Sequence, residues 1–188
     1  MITVASVLAV ILSLPQFYLD VPKFGAAERE ALVRPVAEAI VEVARSRTEA
    51  AAMVALAYHE SRFSDSVLRG ACDELPKGMR CDEHKGVPLA RGAWQLHESA
   101  CRTAWAFPAG SVESLRAEAR CVIRLLRWNA KRGKGVAPSD LRGAFAGYAA
   151  RDWNWPGAET RERTVELLLK KWPRTPPTSA AEPTKRQP

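Results

Sequence analysis

The chain has 188 residues, of which 47% are apolar and 26% are charged, an ordinary globular composition that allows one domain with one hydrophobic core. The formal net charge of +7 attracts any polyanion, such as nucleic acid, anionic lipid or a cell-wall polymer, and does not choose among them. The uncharged apolar run from Ile2 to Leu14 is too short to span a bilayer.

This N-terminal run has the length of a signal-peptide core, so we interpret residues 1–25 as a segment that precedes a domain at residues 26–172. No Lys or Arg precedes the run, and the nearest Ala-x-Ala-like site ends far downstream, at Ala27. A signal peptide with a mis-annotated start, an uncleaved membrane anchor and a buried helix would each explain these features.

Two helices are predicted before residue 64. Apolar residues at spacings of four and three predict an amphipathic helix over Ala26 to Arg47, in which Pro35 should cause a bend or occupy the first turn. Thr48 is the predicted N-cap of the second helix, whose alanine-rich sequence should end near Ser61 to Phe63.

The rest of the chain is predicted to be a long loop followed by more helices, which makes the fold mainly α. The stretch from Ser64 to Arg91 lacks a sustained period, and a loop of this length, with or without a small hairpin, is usually functional. Four helices should follow, at Trp94 to Ala106, Ser111 to Gly133, Ser139 to Tyr148 and Glu159 to Trp172. The Pro-rich tail, residues 173–188, has little to bury and should be disordered.

The four cysteines lack the CxxC spacing that is common in metal sites, and their even number suits two disulfides. Of the three pairings, Cys72 with Cys81 and Cys101 with Cys121 requires the shortest loop closures, so we predict this one. The alternative is four reduced, buried thiols that act as small core residues.

Three short segments carry the functional signal: Tyr58-His59-Glu60-Ser61-Arg62-Phe63, Gly92-Ala93-Trp94-Gln95-Leu96 and Ala146-Gly147-Tyr148-Ala149-Ala150. Their order and spacing resemble the lytic transglycosylases of the soluble type and their goose-type lysozyme relatives. In that family, a helix ending in Glu-Ser is followed by a Gly-x-x-Gln segment and then by Tyr-Asn-x-Gly. The resemblance spans about Thr48 to Asp152, and Ala149 stands where the family has asparagine.

The resemblance implies a lysozyme-like helical domain, with the long disulfide-bearing loop after the catalytic helix, that cleaves the bond between N-acetylmuramic acid and N-acetylglucosamine in peptidoglycan. Glu60 would be the catalytic acid, Ser61 would support it or the substrate, Gln95 would line the cleft, and Tyr148 would close over the glutamate. The substrate's N-acetyl group would replace a second carboxylate, and the products would carry 1,6-anhydromuramyl ends.

A physical argument independent of the family also favours Glu60. A glycosidic oxygen leaves poorly unless it is protonated, so the enzyme needs a carboxyl that keeps its proton near neutral pH, and surrounding aromatic residues would help it to do so. The alternative is a surface carboxylate at a helix end. A further carboxylate would give a hydrolytic muramidase instead, and the candidates are Asp65, Asp73, Glu74, Asp82, Glu83 and Glu98.

The remaining candidates are weaker. His59, His84 and His97 lack metal-ligand spacing, so we expect no metal and no cofactor, with His97 near the cleft rim. Trp94, and Trp153 with Trp155, are candidates for stacking on sugar rings. Three other tryptophans are predicted to be core residues, namely Trp105, Trp128 and Trp172.

A non-catalytic module that binds wall polymer or nucleic acid is the main alternative function. A basic cluster near the C-terminus of a predicted helix would support this function. It comprises Arg124, Arg127, Lys131, Arg132 and Lys134. Cations near a helix C-terminus have an ordinary electrostatic explanation, and disulfides argue for a place outside the cytosol. We therefore expect a periplasmic or extracellular monomer that acts on peptidoglycan glycan strands and not on nucleic acid, with membrane anchoring only if residues 1–25 are retained as an anchor.

Overall fold

The computed structural model describes residues 1–15, 24–71, 81–82, 87–132, 141–149 and 156–173. Within these ranges the fold is mainly helical, as predicted. The helices are α1 (Val4–Leu12), α2 (Ala26–Val43), α3 (Arg47–Glu60), α4 (Asp65–Arg69), α5 (Arg102–Trp105), α6 (Val112–Arg132), α7 (Leu141–Ala149) and α8 (Pro156–Lys171). Four two-residue strands form two antiparallel pairs, β1 (Cys81–Asp82) with β2 (Val87–Pro88), and β3 (Ala90–Arg91) with β4 (Leu96–His97).

Helix α3 is the centre of the domain. Every residue from Ala50 to Ala57 is at most 1% exposed, and the helix contacts α1, α2, α6 and α8. A helix that is apolar on all sides is one that other elements surround, and its many alanines let those elements approach closely. The last turn of α3, which carries Glu60, therefore rests on a rigid support.

Helix α1 is part of the same core. It contacts α2 and α3, and Val7, Val10 and Ile11 are at most 1% exposed. A capping box between Thr3 and Ser6 satisfies its first backbone amides. None of the described helices is long and apolar enough to cross a membrane.

The first two predicted helices differ from the structure at their ends. Pro35 lies well inside α2 rather than in its first turn, and the helix continues through it to Val43. The N-cap of α3 is Ser46 and not Thr48, because the Ser46 hydroxyl accepts the hydrogen bond from the Glu49 amide.

The region from residue 64 to residue 106 differs most from its prediction. The stretch predicted to be a loop begins with the short helix α4, which ends at Gly70 in the left-handed conformation. The helix predicted over Trp94 to Ala106 is wrong, because the chain forms a turn and strand β4 there and is helical only in α5. The β1–β2 pair agrees with a small hairpin in the predicted loop.

The second half of the domain follows its predicted pattern closely. The Ser111 hydroxyl accepts from the Ser114 amide and so caps α6 as predicted. The predicted apolar face of α6 is buried, namely Leu115, Ala119, Val122, Ile123 and Leu126. Helix α6 contacts α2, α5 and α7, and α8 contacts α3 and α7.

One predicted disulfide is present, and the other prediction stays untested. Cys101 and Cys121 are bonded, with their Cα atoms 5.9 Å apart, and this bond joins the start of α5 to α6. Cys72 and the side chain of Cys81 lie outside the described residues, as do Ser139, Asp140 and the tail beyond Pro173.

Candidate active site

Glu60 is presented by a tight turn that ends α3. The Ser61 hydroxyl donates to the Ala57 carbonyl (2.9 Å) and accepts from the Phe63 amide (3.2 Å). Arg62 and Phe63 both adopt positive φ, 52° and 53°, which reverses the chain direction. Ser61 is 1% exposed, so its side chain supports the turn and is not accessible to a substrate.

The Glu60 side chain is 22% exposed and forms an ion pair with Arg161 of α8. Arg161 Nη2 donates to Glu60 Oε1 over 2.5 Å, and Arg161 Nη1 donates to the Gly157 carbonyl over 3.2 Å. The Arg161 side chain is only 10% exposed. Little solvent screens the attraction between these two charges, and their partial burial carries a desolvation cost that opposes it.

His59 lies beside this pair and is held by α8. Its Nε2 is 2.9 Å from the Thr164 hydroxyl, and its ring meets Tyr58 edge-on at 5.2 Å between centroids. Burial, with the cations Arg161 and Arg62 adding to it, lowers the pKa of His59 to about 4. The imidazole is therefore neutral at neutral pH.

The turn at Gly92 to Gln95 is the second segment of the site, and we call it the Gly92 turn. Gly92 has φ +77° and Gln95 has φ +49°, and the Gln95 side-chain amide donates to the Gly92 carbonyl (3.1 Å). Trp94 is fully buried, and its indole nitrogen donates to the Met53 carbonyl of α3 (3.0 Å). The expectation that Trp94 offers a face to a sugar ring is not met, because the ring has no accessible surface. Gln95 is partly exposed and remains a candidate for substrate contact.

Glu118 lies directly beneath the Gly92 turn, and sequence reasoning did not identify it. It is fully buried; its Oε2 accepts from the Ala93 amide (3.1 Å) and its Oε1 accepts from the Ser114 hydroxyl (3.0 Å). Burial raises the pKa of Glu118 to about 7, against the opposing effects of these hydrogen bonds, of Arg91 and of the Trp94 amide. The sequence signal that could have identified Glu118 was its position, since it is a glutamate on the apolar stripe of α6.

Glycine is required at position 92 for two reasons. Its positive φ disfavours other residues, and a Cβ atom there would lie 2.1 Å from the Glu118 carboxylate. The close approach of backbone and carboxylate is what allows Glu118 to bind the amides of the turn.

Tyr148 of α7 joins the third segment to the second. Its hydroxyl donates to the Trp94 carbonyl over 2.6 Å. Burial raises the pKa of Tyr148 well above its ordinary value, the negative charges of Glu60 and Glu118 raise it further, and Arg161 opposes them. The phenol therefore lies within the electrostatic reach of both carboxylates and keeps its proton.

Close contact between helices places Tyr148. At the preceding residue, Gly147, a Cβ atom would lie 2.8 Å from Cγ of Asn129, a buried residue of α6. Helices α6 and α7 therefore approach closely at this point, and the approach brings Tyr148 to the Gly92 turn.

The other predicted site residues are more peripheral. His97 is exposed on β4, and its place at the cleft rim stays a prediction. Trp105 is partly buried against Arg91, whose guanidinium carbon lies 4.3 Å from the ring centre, and Trp172 is buried as predicted. The prediction that Trp128 is a core residue is wrong, because 51% of it is exposed. Trp153 and Trp155 lie outside the described residues.

The candidate second carboxylates of the muramidase alternative are only partly described. Asp65 pairs with Arg69 over 2.8 Å within α4, and Glu98 is exposed. Asp73, Glu74, Glu83 and the side chain of Asp82 lie outside the described residues, as does His84. Within the described ranges, no three metal-ligating side chains cluster.

The predicted basic cluster does not form one uniform surface. Arg127 binds Glu49 through two hydrogen bonds of 2.8 Å and also donates to the Val43 carbonyl, so it holds α6 to α3. A cavity of about 530 Å³ opens beside this pair, near the start of α3, and Glu60 does not line it. Arg124 and Lys131 are exposed.

Comparisons with known proteins found no family model, no curated protein and no solved structure that matches the chain.

Proposed function

We propose that this protein is a lysozyme-like lytic transglycosylase that cleaves the bond between N-acetylmuramic acid and N-acetylglucosamine in peptidoglycan, with Glu60 as general acid and then general base. The observation that carries the proposal is the hydrogen bond from Tyr148 to the Trp94 carbonyl. It joins the second and third motif segments, and the bond from the Trp94 indole to Met53 joins both to the helix of Glu60. This arrangement, in which the second and third segments are joined to each other and to the helix that carries Glu60, supports the proposal.

The ion pair with Arg161 engages Glu60 as a carboxylate, whereas a general acid must carry a proton. Glu60 would therefore have to take up a proton before it could act on the glycosidic oxygen. A guanidinium has only donors, so the oxygen that it contacts, Oε1, cannot carry the acidic proton in this arrangement. Oε2 would therefore give its proton to the glycosidic oxygen, while Arg161 fixes the orientation of the carboxyl group. After the bond breaks, the same carboxylate would accept the proton of the sugar's 6-hydroxyl group, and the product would carry a 1,6-anhydro ring.

The burial of Glu118 makes it unsuited to be the second carboxylate of a muramidase. A muramidase that uses a second carboxylate needs that group in contact with water or with the sugar. Among the described residues, the carboxylate that shares the field of Tyr148 with Glu60 is Glu118, and it has no exposed surface. The proposal therefore gives the nucleophilic role to the substrate's own N-acetyl group, and it includes no metal or cofactor.

The proposal includes a monomer located in the periplasm or outside the cell. The Cys101–Cys121 disulfide supports such a location, since structural disulfides persist in oxidising compartments.

The decisive experiment digests purified peptidoglycan with the wild-type protein, with Glu60→Gln and with a matched control, Glu166→Gln, an exposed glutamate of α8. We expect anhydro-ended muropeptides, identified by mass, from the wild type and the control, and at least 100-fold less product from Glu60→Gln. Reducing ends would identify a muramidase. No release by folded wild-type protein would refute the enzymatic proposal.

One observation favours a second candidate, a non-catalytic module that binds anionic wall polymer. Arg120, Arg124, Trp128 and Lys131 are exposed at near-regular helical spacing on α6, and an accessible indole among cations suits a carbohydrate polymer with negative charges. Co-sedimentation with insoluble peptidoglycan that Arg124→Gln and Trp128→Ala abolish, without any product release, would support this alternative.

A further inference from the structure

The proposed reaction gives Glu118 no chemical step, although a fully buried carboxyl is costly to keep. Its surroundings are built from three elements. Ser114 lies on the same helix, the Ala93 amide belongs to the Gly92 turn, and Arg91 of β3 acts on it electrostatically. Tyr148 of α7 also lies in its field.

We propose that Glu118 is a positioning residue for the cleft: its carboxylate binds the backbone of the Gly92 turn from below and so fixes the Trp94 carbonyl that receives the Tyr148 hydroxyl. The claim that Glu118 contributes to catalysis rests on the proposed function, whereas the claim that it stabilises the Gly92 turn does not. Glu118 does not touch the substrate, because it is fully buried. It acts through the turn and through Tyr148.

The hydrogen-bond inventory explains why a carboxylate is suited to this position. The Ala93 amide donates to Glu118 from the turn, and the Trp94 amide of the same turn lowers the pKa of the carboxyl; both residues are buried, so their amides need acceptors. A carboxylate offers two acceptor oxygens, and bonds from amides to a charged acceptor are about twice as strong as neutral ones. The hydrogen bonds to the turn are therefore strongest when Glu118 is ionised, although burial makes the ionised form costly.

Protonation of Glu118 has a defined local consequence. The Ser114 hydroxyl lies within reach of both Glu118 Oε1 (3.0 Å) and the Ala104 carbonyl (3.3 Å). When Oε1 takes up a proton, the hydroxyl can accept from it and donate to Ala104 instead. The turn then keeps a neutral acceptor at Oε2 in place of a charged one. Because burial brings the pKa of Glu118 to about 7, this exchange falls in the neutral range.

Glu118→Gln is the informative variant. Its side-chain oxygen can accept from the Ala93 amide, and its amino group can donate to Ser114, whose hydroxyl then donates to Ala104. The geometry is preserved, but the charge and the titration are removed. Glu118→Ala removes the acceptor altogether, and Glu113→Gln, an exposed glutamate of the same helix, is the matched control.

The first test is amide hydrogen exchange at Ala93 and Trp94, followed by NMR between pH 5.5 and 8.5 (a range of roughly one and a half units about the pKa of Glu118). We expect wild type and control to show protection that decreases as the pH rises towards about 7 and levels off above it, after correction for the intrinsic exchange rate, because opening the turn exposes Glu118 and lowers its pKa. Glu118→Gln should lose this inflection, and Glu118→Ala should exchange about 10- to 100-fold faster. Unchanged protection in both variants would overturn the proposal. If Glu118→Ala does not fold, Glu118→Gln decides the question through the inflection.

The second test is the pH profile of anhydro-product release. Loss of the inflection near pH 7 in Glu118→Gln, with kcat lowered and KM little changed, is the expected result for a group that positions the cleft. A profile identical to that of the wild type would overturn the catalytic part. If wild-type protein releases nothing, the proposed function fails, while the exchange measurement still tests the hold of Glu118 on the turn.

Discussion

Replacing Gly92 with alanine tests the closest contact in the candidate site. The added Cβ would lie 2.1 Å from the Glu118 carboxylate, and φ is +77°. The left-handed backbone costs about 1–2 kcal/mol for an L residue. Displacing the carboxylate breaks at least one hydrogen bond to a charged group, which costs about 1.5–3 kcal/mol. We therefore expect Gly92→Ala to lower the free energy of unfolding by about 2.5–5 kcal/mol.

Urea denaturation of a double-mutant cycle measures this loss and identifies its cause. In the Glu118→Ala background the obstacle is gone, so Gly92→Ala should cost only the backbone strain of about 1–2 kcal/mol. Gly25→Ala is the control, since its Cβ would lie 3.6 Å from the nearest atom; as an N-cap change it should cost about 1 kcal/mol or less. An equal cost of Gly92→Ala with and without Glu118 would refute the close contact.

Three further predictions concern the groups around the site. Tyr148→Phe leaves the Trp94 carbonyl without its donor, so we expect a loss of about 1–3 kcal/mol in urea denaturation and at least about a 10-fold drop in product release. Replacing Cys101 and Cys121 with serine removes a cross-link that closes a loop with a sequence separation of 20, which should cost about 3 kcal/mol in thermal unfolding. Because the pKa of His59 is about 4 when folded and higher when unfolded, the unfolded chain binds more protons, and stability should fall as the pH drops from about 6.5 to about 4. His59→Gln should reduce this loss of stability at low pH, and a variant with the same pH dependence as the wild type would contradict the prediction.

The sequence correctly predicted helices that bury one face, because the spacing of their apolar residues shows which face is buried. Helix α6 has an apolar stripe on one side, so both its face and its Ser111 cap were predicted correctly. Helix α3 has no such stripe because it is buried on all sides, yet its alanine-rich composition still indicated a helix. The Cys101–Cys121 pairing followed from the short loop that it closes.

Features that depend on tertiary contacts were missed. Trp94 to His97 has a composition compatible with a helix, but the chain turns there because Gly92 and Gln95 adopt positive φ and the Trp94 indole bonds to Met53. The spacing of apolar residues on α6 is compatible with a buried Trp128. Only the positions of the neighbouring helices determine that this side of α6 faces solvent. Arg161 gave no local signal at all, since it meets Glu60 across 101 residues of chain.

The ionisation states around Glu60 narrow the choice of proton donor. The low pKa of His59 leaves it without a proton to donate at neutral pH, and the high pKa of Tyr148 keeps its proton in place. Glu118 has a pKa of about 7 but no exposed surface. Glu60, by contrast, has a partly exposed side chain, and Arg161 contacts its Oε1 oxygen and leaves Oε2 for the proton that the proposed mechanism requires. These differences support the proposed single-glutamate mechanism.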